Sequence, residues 1–257
     1  NCPIYVPCVS VSAYKSDSTW SRYASRIRGI PPCGDTLKFS ATYSNGTSYS
    51  AECDSNSTLT TGNTHPNGYT YTAMTSAVIG ECVTSIGTSA FTNCTNLSAI
   101  TIPNTVTIIG ERSFYGCSGL TNVTIPSSVT EISPAAFARC SGLTSINIPN
   151  SVQTIGYSVF TYCTSLTNVT IGTGVTSLGN YVFDACTALT SITINATTPP
   201  TLVNANAFYG TNITSIEIPE NVTSIGTSAF DRCSALTSIT IPDGVTSIGN
   251  YAFYGCS

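Results

Sequence analysis

The sequence is poor in charge. Asp, Glu, Lys and Arg together make up 8% of its 257 residues, against ~25% in ordinary soluble domains. The net charge is −4, and five of the eight basic residues precede position 39. No basic stripe exists, which excludes nucleic acid as an expected partner. Histidine is nearly absent. Any Ser-His-Asp or Cys-His centre would have to use the single His65, which lies among Asn, Thr, Pro and Gly with no orienting partner in view. Glu111, Glu131, Asp184, Glu217, Glu220, Asp231 and Asp243 are scattered along the chain, whereas a glycosidase pair needs two carboxyls ~5–10 Å apart in a cleft. Phosphate-loop, dinucleotide and EF-hand patterns are missing. No cofactor, no metal and no catalytic residue is expected. No apolar run approaches the ~20 residues that cross a bilayer, so direct membrane insertion is not expected of this segment.

What the chain has is a repeat. Phe91, Phe114, Phe137, Phe160, Phe183, Phe208, Phe230 and Phe253 recur with gaps of 23 residues in five of seven cases, the others being 25 and 22. Between them runs Cys-x-x-Leu-x-x-Ile-x-Ile-Pro-x-x-Val-x-x-Ile-Gly-x-x-Ala. A fixed period of this size specifies a solenoid in which each coil buries its apolar residues against its neighbours. The expected fold is a leucine-rich-repeat type solenoid, mostly β with short helical turns, in 23-residue coils.

Two strands are legible in each coil. In Leu143–Ile148, Ile146 and Ile148 point inward while Ser145 and Asn147 point outward. Pro149-Asn150-Ser151 makes a corner, Val152–Gly156 a second strand, and the Gly allows another corner without a Cβ clash. The Ala-Phe-x-x-Cys stretch is expected to form a helical turn or a short 3₁₀ piece. One coil departs from the frame, with Pro199-Pro200 in place of its second strand. Because Val175 to Val222 still spans 47 residues, two repeats plus one, the solenoid should continue with a local bulge.

Three parts are expected. Residues 1–33 read as a strand and short helices, the second helix carrying Trp20, Tyr23 and Ile27 on one face. Residues 34–71 read as a β-hairpin, turning at Asn45-Gly46 in a type I′ turn, then a polar loop that caps the array. Residues 72–257 are the solenoid. The chain begins at Asn and ends inside a repeat, which reads as a segment of a longer protein.

Seven of the twelve cysteines, Cys94, Cys117, Cys140, Cys163, Cys186, Cys233 and Cys256, follow a repeat Phe by three residues. They should stack as a buried ladder of free thiols. A metal string would need His partners or CxxC spacing, and neither is present. Of Cys2, Cys8, Cys33, Cys53 and Cys82, an odd number leaves one unpaired. Cys53 with Cys82 is the preferred bridge, since both lie where the hairpin should meet the first coil.

The motif Phe-x-x-Cys-x-x-Leu-Thr-Ser-Ile-x-Ile-Pro-x-x-Val-Thr-Ser-Ile-Gly-x-x-Ala-Phe, clearest from Phe230 to Phe253 and from Phe137 to Phe160, resembles the BspA-like leucine-rich repeat family. The resemblance covers about residues 72–257. The segment Ile4-Tyr-Val-Pro7 through Trp20-Ser-x-Tyr23 is similar to one that closes repeat arrays in members from gut Bacteroidetes. The resemblance implies a secreted or cell-surface protein of host-associated microbes that adheres to a protein or glycan on a host or microbial surface. Similar repeats also occur in gut phage proteins, which implies a virion fibre as the alternative. A further alternative is the accessory repeat region of a larger secreted enzyme. The family carries no shared catalytic residues.

The candidate binding surface is the outward face of the first strand: Thr101, Thr124, Asn147, Thr170 and Thr193 in one row, with Asn122, Ser145 and Asn168 beside it. β-propensity and solubility alone also explain such a face. Ice binding would use a flat Thr ladder, but Ser, Asn and Glu interrupt this one. Tyrosines beside the repeat phenylalanines are expected to cover the coil corners. Stacking on further repeats of a longer chain is the self-association the repeat provides for.

Overall fold

The computed structural model describes residues 4–6, 27–29, 37–52, 57–64, 70–195 and 204–256. From residue 74 onward the chain winds in coils whose strands pair in parallel at one-repeat offset. Ser145, Asn168 and Ser191 lie in register, as do Asn147, Thr170 and Thr193. A second ladder joins Ile108–Ile109, Glu131–Ile132, Thr154–Ile155 and Ser177–Leu178. Alternation decides what is buried. In Ser145–Ile148 the two isoleucines face the core and Ser145 and Asn147 face solvent. The corner glycines are required by close approach between coils. A Cβ on Gly110 would fall 2.4 Å from the Ile86 carbonyl oxygen, and one on Gly179 would fall 2.4 Å from the Gly156 carbonyl carbon.

The third side of each coil corrects the expected helical turn. The residues two before and two after every repeat Phe have positive φ. Ser89 and Asn93 flank Phe91 at 57° and 59°, Ala135 and Arg139 flank Phe137 at 54° and 61°, and Tyr181 and Ala185 flank Phe183 at 60° and 56°. Backbone N–H groups alternate in purpose. Phe137 N–H donates to Val159 O and Arg139 N–H to Thr161 O in the next coil, while Ala138 N–H and Cys140 N–H close turns within the coil on Ala135 O and Phe137 O. A helix would direct these donors along the chain. Here every second donor must reach the neighbouring coil, and the left-handed residues turn it outward. Left-handed backbone costs a non-glycine residue ~1–2 kcal/mol, and each inter-coil hydrogen bond returns a similar ~0.5–1.5 kcal/mol.

Inside, the phenylalanines form one continuous stack from Phe91 to Phe253, with ring centroids 5.1–5.7 Å apart and planes within 12° of parallel. Leu, Ile and Val columns run beside it, buried through the middle coils and only partly so at Ile239 and Val245 near the end. Burial depends on having a coil on both sides. Ile225 is 2% exposed, whereas Ile248, its equivalent in the last coil, is 51% exposed. That is the nearest-neighbour stability of a solenoid seen at a single position.

Before the first coil, strands Leu37–Tyr43 and Ser48–Glu52 form the hairpin. Leu37–Tyr43 pairs antiparallel with Met74–Ile79, the first strand of the solenoid. Phe39 meets Phe91 at 5.7 Å and extends the aromatic column by one ring. Thr58–Leu59 adds to the second ladder beside Ser85–Ile86. The hairpin turn is not type I′. Only Gly46 has positive φ, at 81°, and its N–H donates to Tyr43 O. This is a type I turn completed by a left-handed glycine in a three-residue loop, held by Asn45 Oδ1, which accepts from Thr47 N–H. Further toward the N-terminus, Ile4–Val6 pairs in parallel with Ile27–Gly29. Ile27 is therefore in a strand, not on the face of the expected helix. The rest of that helix lies outside the described residues, as do Cys2, Cys8, Cys33, Cys53 and His65.

The solenoid continues through the irregular coil as expected. Phe183 and Phe208 stack at 5.7 Å, and Tyr181, Phe183 and Ala185 donate to Ala205, Ala207 and Tyr209. Residues 196–203, including Pro199-Pro200, lie outside the described residues. The first-strand ladder stops at Ile194 and resumes only as an isolated bridge between Glu217 and Thr240.

Candidate functional site, the polar strand face

Parallel pairing at one-repeat offset turns a sequence pattern into rows of side chains. Asn147, Thr170 and Thr193 form one row, and Ser145, Asn168 and Ser191 the next. All are exposed except Thr170, which is half-buried. Thr101 is exposed in strand Ala99–Thr101, in register with Val78. Asn122 and Thr124 are exposed as well, but their segment has no strand pairing. Its regular bond is Thr144 N–H to Thr121 O. The row is thus regular from coil to coil over Asn147–Thr193 and looser at Asn122 and Thr124.

Neighbouring hydroxyls have a different task. Thr144, Thr167 and Thr190 each donate to the carbonyl of the residue one repeat earlier, at 3.2, 3.0 and 3.5 Å. Thr107, Thr130 and Thr176 do the same on the second-strand side. These threonines tie coil to coil. By contrast, among the described residues the side chains of Thr101, Thr124, Asn147, Thr170 and Thr193 hold no hydrogen bond, and Asn168 holds one, to Thr167 Oγ1. The side chains of this row are not used by the fold to join coils.

No group of three metal-ligating side chains exists among the described residues. Glu131 accepts from Ser133 Oγ at 2.8 Å. Burial pushes the Asp184 carboxyl up from its ordinary value. Glu217 and Glu220 line a cavity of ≈400 Å³ with Ile194, Ile216 and Thr240, where the first ladder is interrupted.

The buried ladder of free thiols is as expected, but its hydrogen bonds and a set of arginine–tyrosine pairs escaped the sequence reading. The repeat cysteines are free and buried, apart from the partly buried Cys256. They are also hydrogen-bond donors: the Sγ of Cys117, Cys140, Cys163, Cys186, Cys233 and Cys256 each reach the Phe carbonyl of the preceding coil at 3.1–3.2 Å. Burial pushes these thiols up, Cys163 to about 12 and Cys233 to about 11, so they stay protonated and able to donate. Cys82 is disulfide-bonded, and the other half of its bridge lies outside the described residues. The second arrangement is on the turn side, where Arg112, Arg139 and Arg232 sit over Tyr115, Tyr162 and Tyr209 at 6.0, 5.0 and 5.6 Å. The one available signal was spacing, since Arg139–Tyr162 and Tyr209–Arg232 are each separated by one 23-residue period.

The model of the BspA type leucine rich repeat region matches residues 63–190 and 201–257, in six copies. The chain belongs to the BspA-type leucine-rich repeat family. No curated protein matches it. Among solved structures, it is similar to the T. pallidum leucine rich repeat protein (26% identity, TM-score 0.53), covering 71% of this chain and 82% of that one. A leucine-rich repeat protein of Eubacterium ventriosum has 26% identity and TM-score 0.55 over 90% of this chain and 52% of that one. One of Bacteroides ovatus has 25% identity and TM-score 0.52 over 87% and 68%. The chain therefore spans about half of the Eubacterium protein. The BspA-type repeats account for the coil, the aromatic column and the thiol ladder, and the matching proteins are themselves repeat proteins.

Proposed function

We propose that this chain is a non-enzymatic interaction module, secreted or at the cell surface, that captures a protein or glycan of a host or microbial surface. Contact runs along Thr101, Thr124, Asn147, Thr170 and Thr193 and the adjoining Asn122, Ser145 and Asn168. The observation that carries this reading is the division of labour among hydroxyls. The fold uses Thr144, Thr167 and Thr190 to join coils and leaves Asn147, Thr170 and Thr193 in register without side-chain hydrogen bonds, exposed apart from the half-buried Thr170. A long row of modest hydrogen-bonding groups suits an extended partner bound over several coils, not a small molecule in a pocket. The bonded Cys82 supports an oxidising compartment. The free thiols are compatible with such a compartment because they are buried and protonated.

The test is capture on immobilised extracellular-matrix proteins and mucin glycans. Thr124, Asn147 and Thr170 changed together to Lys should abolish capture by the native protein with its melting temperature preserved. Full capture by the triple variant would overturn the strand-face reading.

A further inference from the structure

We infer that the turn side of the coils around Arg139 is a second, separate binding site, which takes an acidic saccharide. Its members are Arg139, Tyr157, Tyr162 and Tyr181. Three consecutive coils carry them, joined by hydrogen bonds: Ala135 N–H donates to Tyr157 O at 2.9 Å, Arg139 N–H to Thr161 O at 2.8 Å, and Thr161 Oγ1 to Tyr181 O at 2.6 Å. The Arg139 guanidinium lies 5.0 Å from the centre of the Tyr162 ring. Tyr157, Tyr162 and Tyr181 are 54%, 47% and 43% exposed, the only large exposed aromatics described between Tyr71 and Tyr251.

Two features separate this cluster from mere corner covering. First, Arg139, Tyr162 and Tyr181 occupy left-handed positions, at φ 61°, 60° and 60°. Glycine fills the position equivalent to Arg139 and Tyr162 at Gly116, Gly210 and Gly255, so at these two places bulky side chains stand where the backbone favours none. Second, the other two solenoid arginines have carboxylates beside them, Glu111 at 4.0 Å from Arg112 and Asp231 at 3.9 Å from Arg232. Among the described residues, Arg139 has no carboxylate within ion-pair distance. Its fork is free to take a planar anion bidentately while its face stays on the Tyr162 ring.

The occupant follows from that chemistry. A carboxylate is required for the fork, and a sugar ring with an apolar C–H face suits exposed tyrosines that form no deep pocket. The ≈400 Å³ cavity opens on a different side, at Ile194–Pro242. Ser158 and Asn180 border the cluster and supply neutral hydrogen-bonding groups, Ser158 N–H donating to Asn180 O. A uronic acid presents a carboxylate and hydroxyls on one ring and meets all of these groups. An acidic peptide would use the arginine alone. This site does not involve the strand face, and either reading can fail without the other.

The experiment is affinity electrophoresis of the native chain in gels containing polygalacturonate, neutral dextran or polyglutamate. The expected result is retardation by polygalacturonate only, lost in 0.5 M salt. Arg139→Gly, which suits the left-handed backbone, and Arg139→Lys, which keeps the charge but not the fork, should each weaken it at least tenfold. Tyr162→Phe should retain it. The paired strand-face substitutions Asn147→Ala and Thr170→Ala should leave it unchanged. Absence of retardation by polygalacturonate, equal retardation by polyglutamate, or full binding by Arg139→Lys would each overturn the proposal.

Discussion

The thiol of Cys140 donates a hydrogen bond to the carbonyl oxygen of Phe114, 3.1 Å away and one coil earlier. The same oxygen accepts from Cys117 N–H within its own coil. One carbonyl thus closes a turn and receives the next coil. The cysteine is a small apolar filler that is also a directed donor, a combination that no aliphatic residue offers.

Removing that donor should be measurable. Cys140→Ala leaves Phe114 O with one partner instead of two and opens a sulfur-sized void. The expected loss is ~1–2 kcal/mol from the hydrogen bond and packing together, read by urea denaturation. The ladder also has a natural gap. At the equivalent place in the Phe208 coil stands Thr211, whose hydroxyl turns to Phe208 O of its own coil at 2.9 Å. Thr211→Cys should restore the rung to Phe183 O and raise stability by ~0.5–1 kcal/mol. A decrease would show that the ladder is incidental.

Alkali should unfold this protein for a specific reason. Burial raises the folded-state thiol values, to about 12 for Cys163 and about 11 for Cys233. The folded chain then holds its protons more tightly than the unfolded chain, whose thiols titrate near ~8.5. The stabilisation is complete below that value and is lost as pH rises through the folded values. Stability measured in urea should therefore fall between about pH 9 and pH 11, by up to ~1.4 kcal/mol per pH unit for each thiol. Cys163→Ala should flatten the slope. An unchanged slope would contradict the thiol assignment.

Phe160 lies between Phe137 and Phe183, 5.6 Å from each. Phe160→Ala should cost ~3–5 kcal/mol through the cavity it leaves, seen as a large drop in melting temperature. A wild-type melt would rule out the aromatic column as a source of stability.

The left-handed positions make an opposite kind of prediction. Ser158, at φ 56°, should become more stable as Gly and less stable as Val. A β-branched residue there adds to the ~1–2 kcal/mol left-handed penalty. Circular-dichroism melts of the two variants would check the order.

The columns were legible because Phe, Cys, Leu, Ile and Val recur at fixed offsets, and Ile146 and Ile148 alternate with Ser145 and Asn147. The turn side was not. Thirteen of its left-handed positions hold Ser, Arg, Ala, Tyr or Asn and only three hold Gly, so the usual composition signal for such backbone is missing. Inter-coil hydrogen bonds supply the compensation instead, and these depend on a neighbour that no single repeat reveals. Asn45-Gly46 illustrates the same limit on a smaller scale. The dipeptide announced a turn, but Asn45 Oδ1 accepting from Thr47 N–H favours the three-residue loop. Among the polar side chains, sequence placed Thr144 and Asn147 on one strand without distinguishing the hydroxyl that joins coils from the amide that does not.

That distinction underlies the functional account, and threonine-methyl NMR tests it most directly. A matrix protein or glycan captured in the binding assay would be titrated into methyl-labelled chain. The account predicts that the methyl signals of Thr101, Thr124, Thr170 and Thr193 shift or broaden, while those of Thr107, Thr130 and Thr176 on the second-strand side stay fixed. Shifts confined to Thr107, Thr130 and Thr176, with the first row silent, would contradict it.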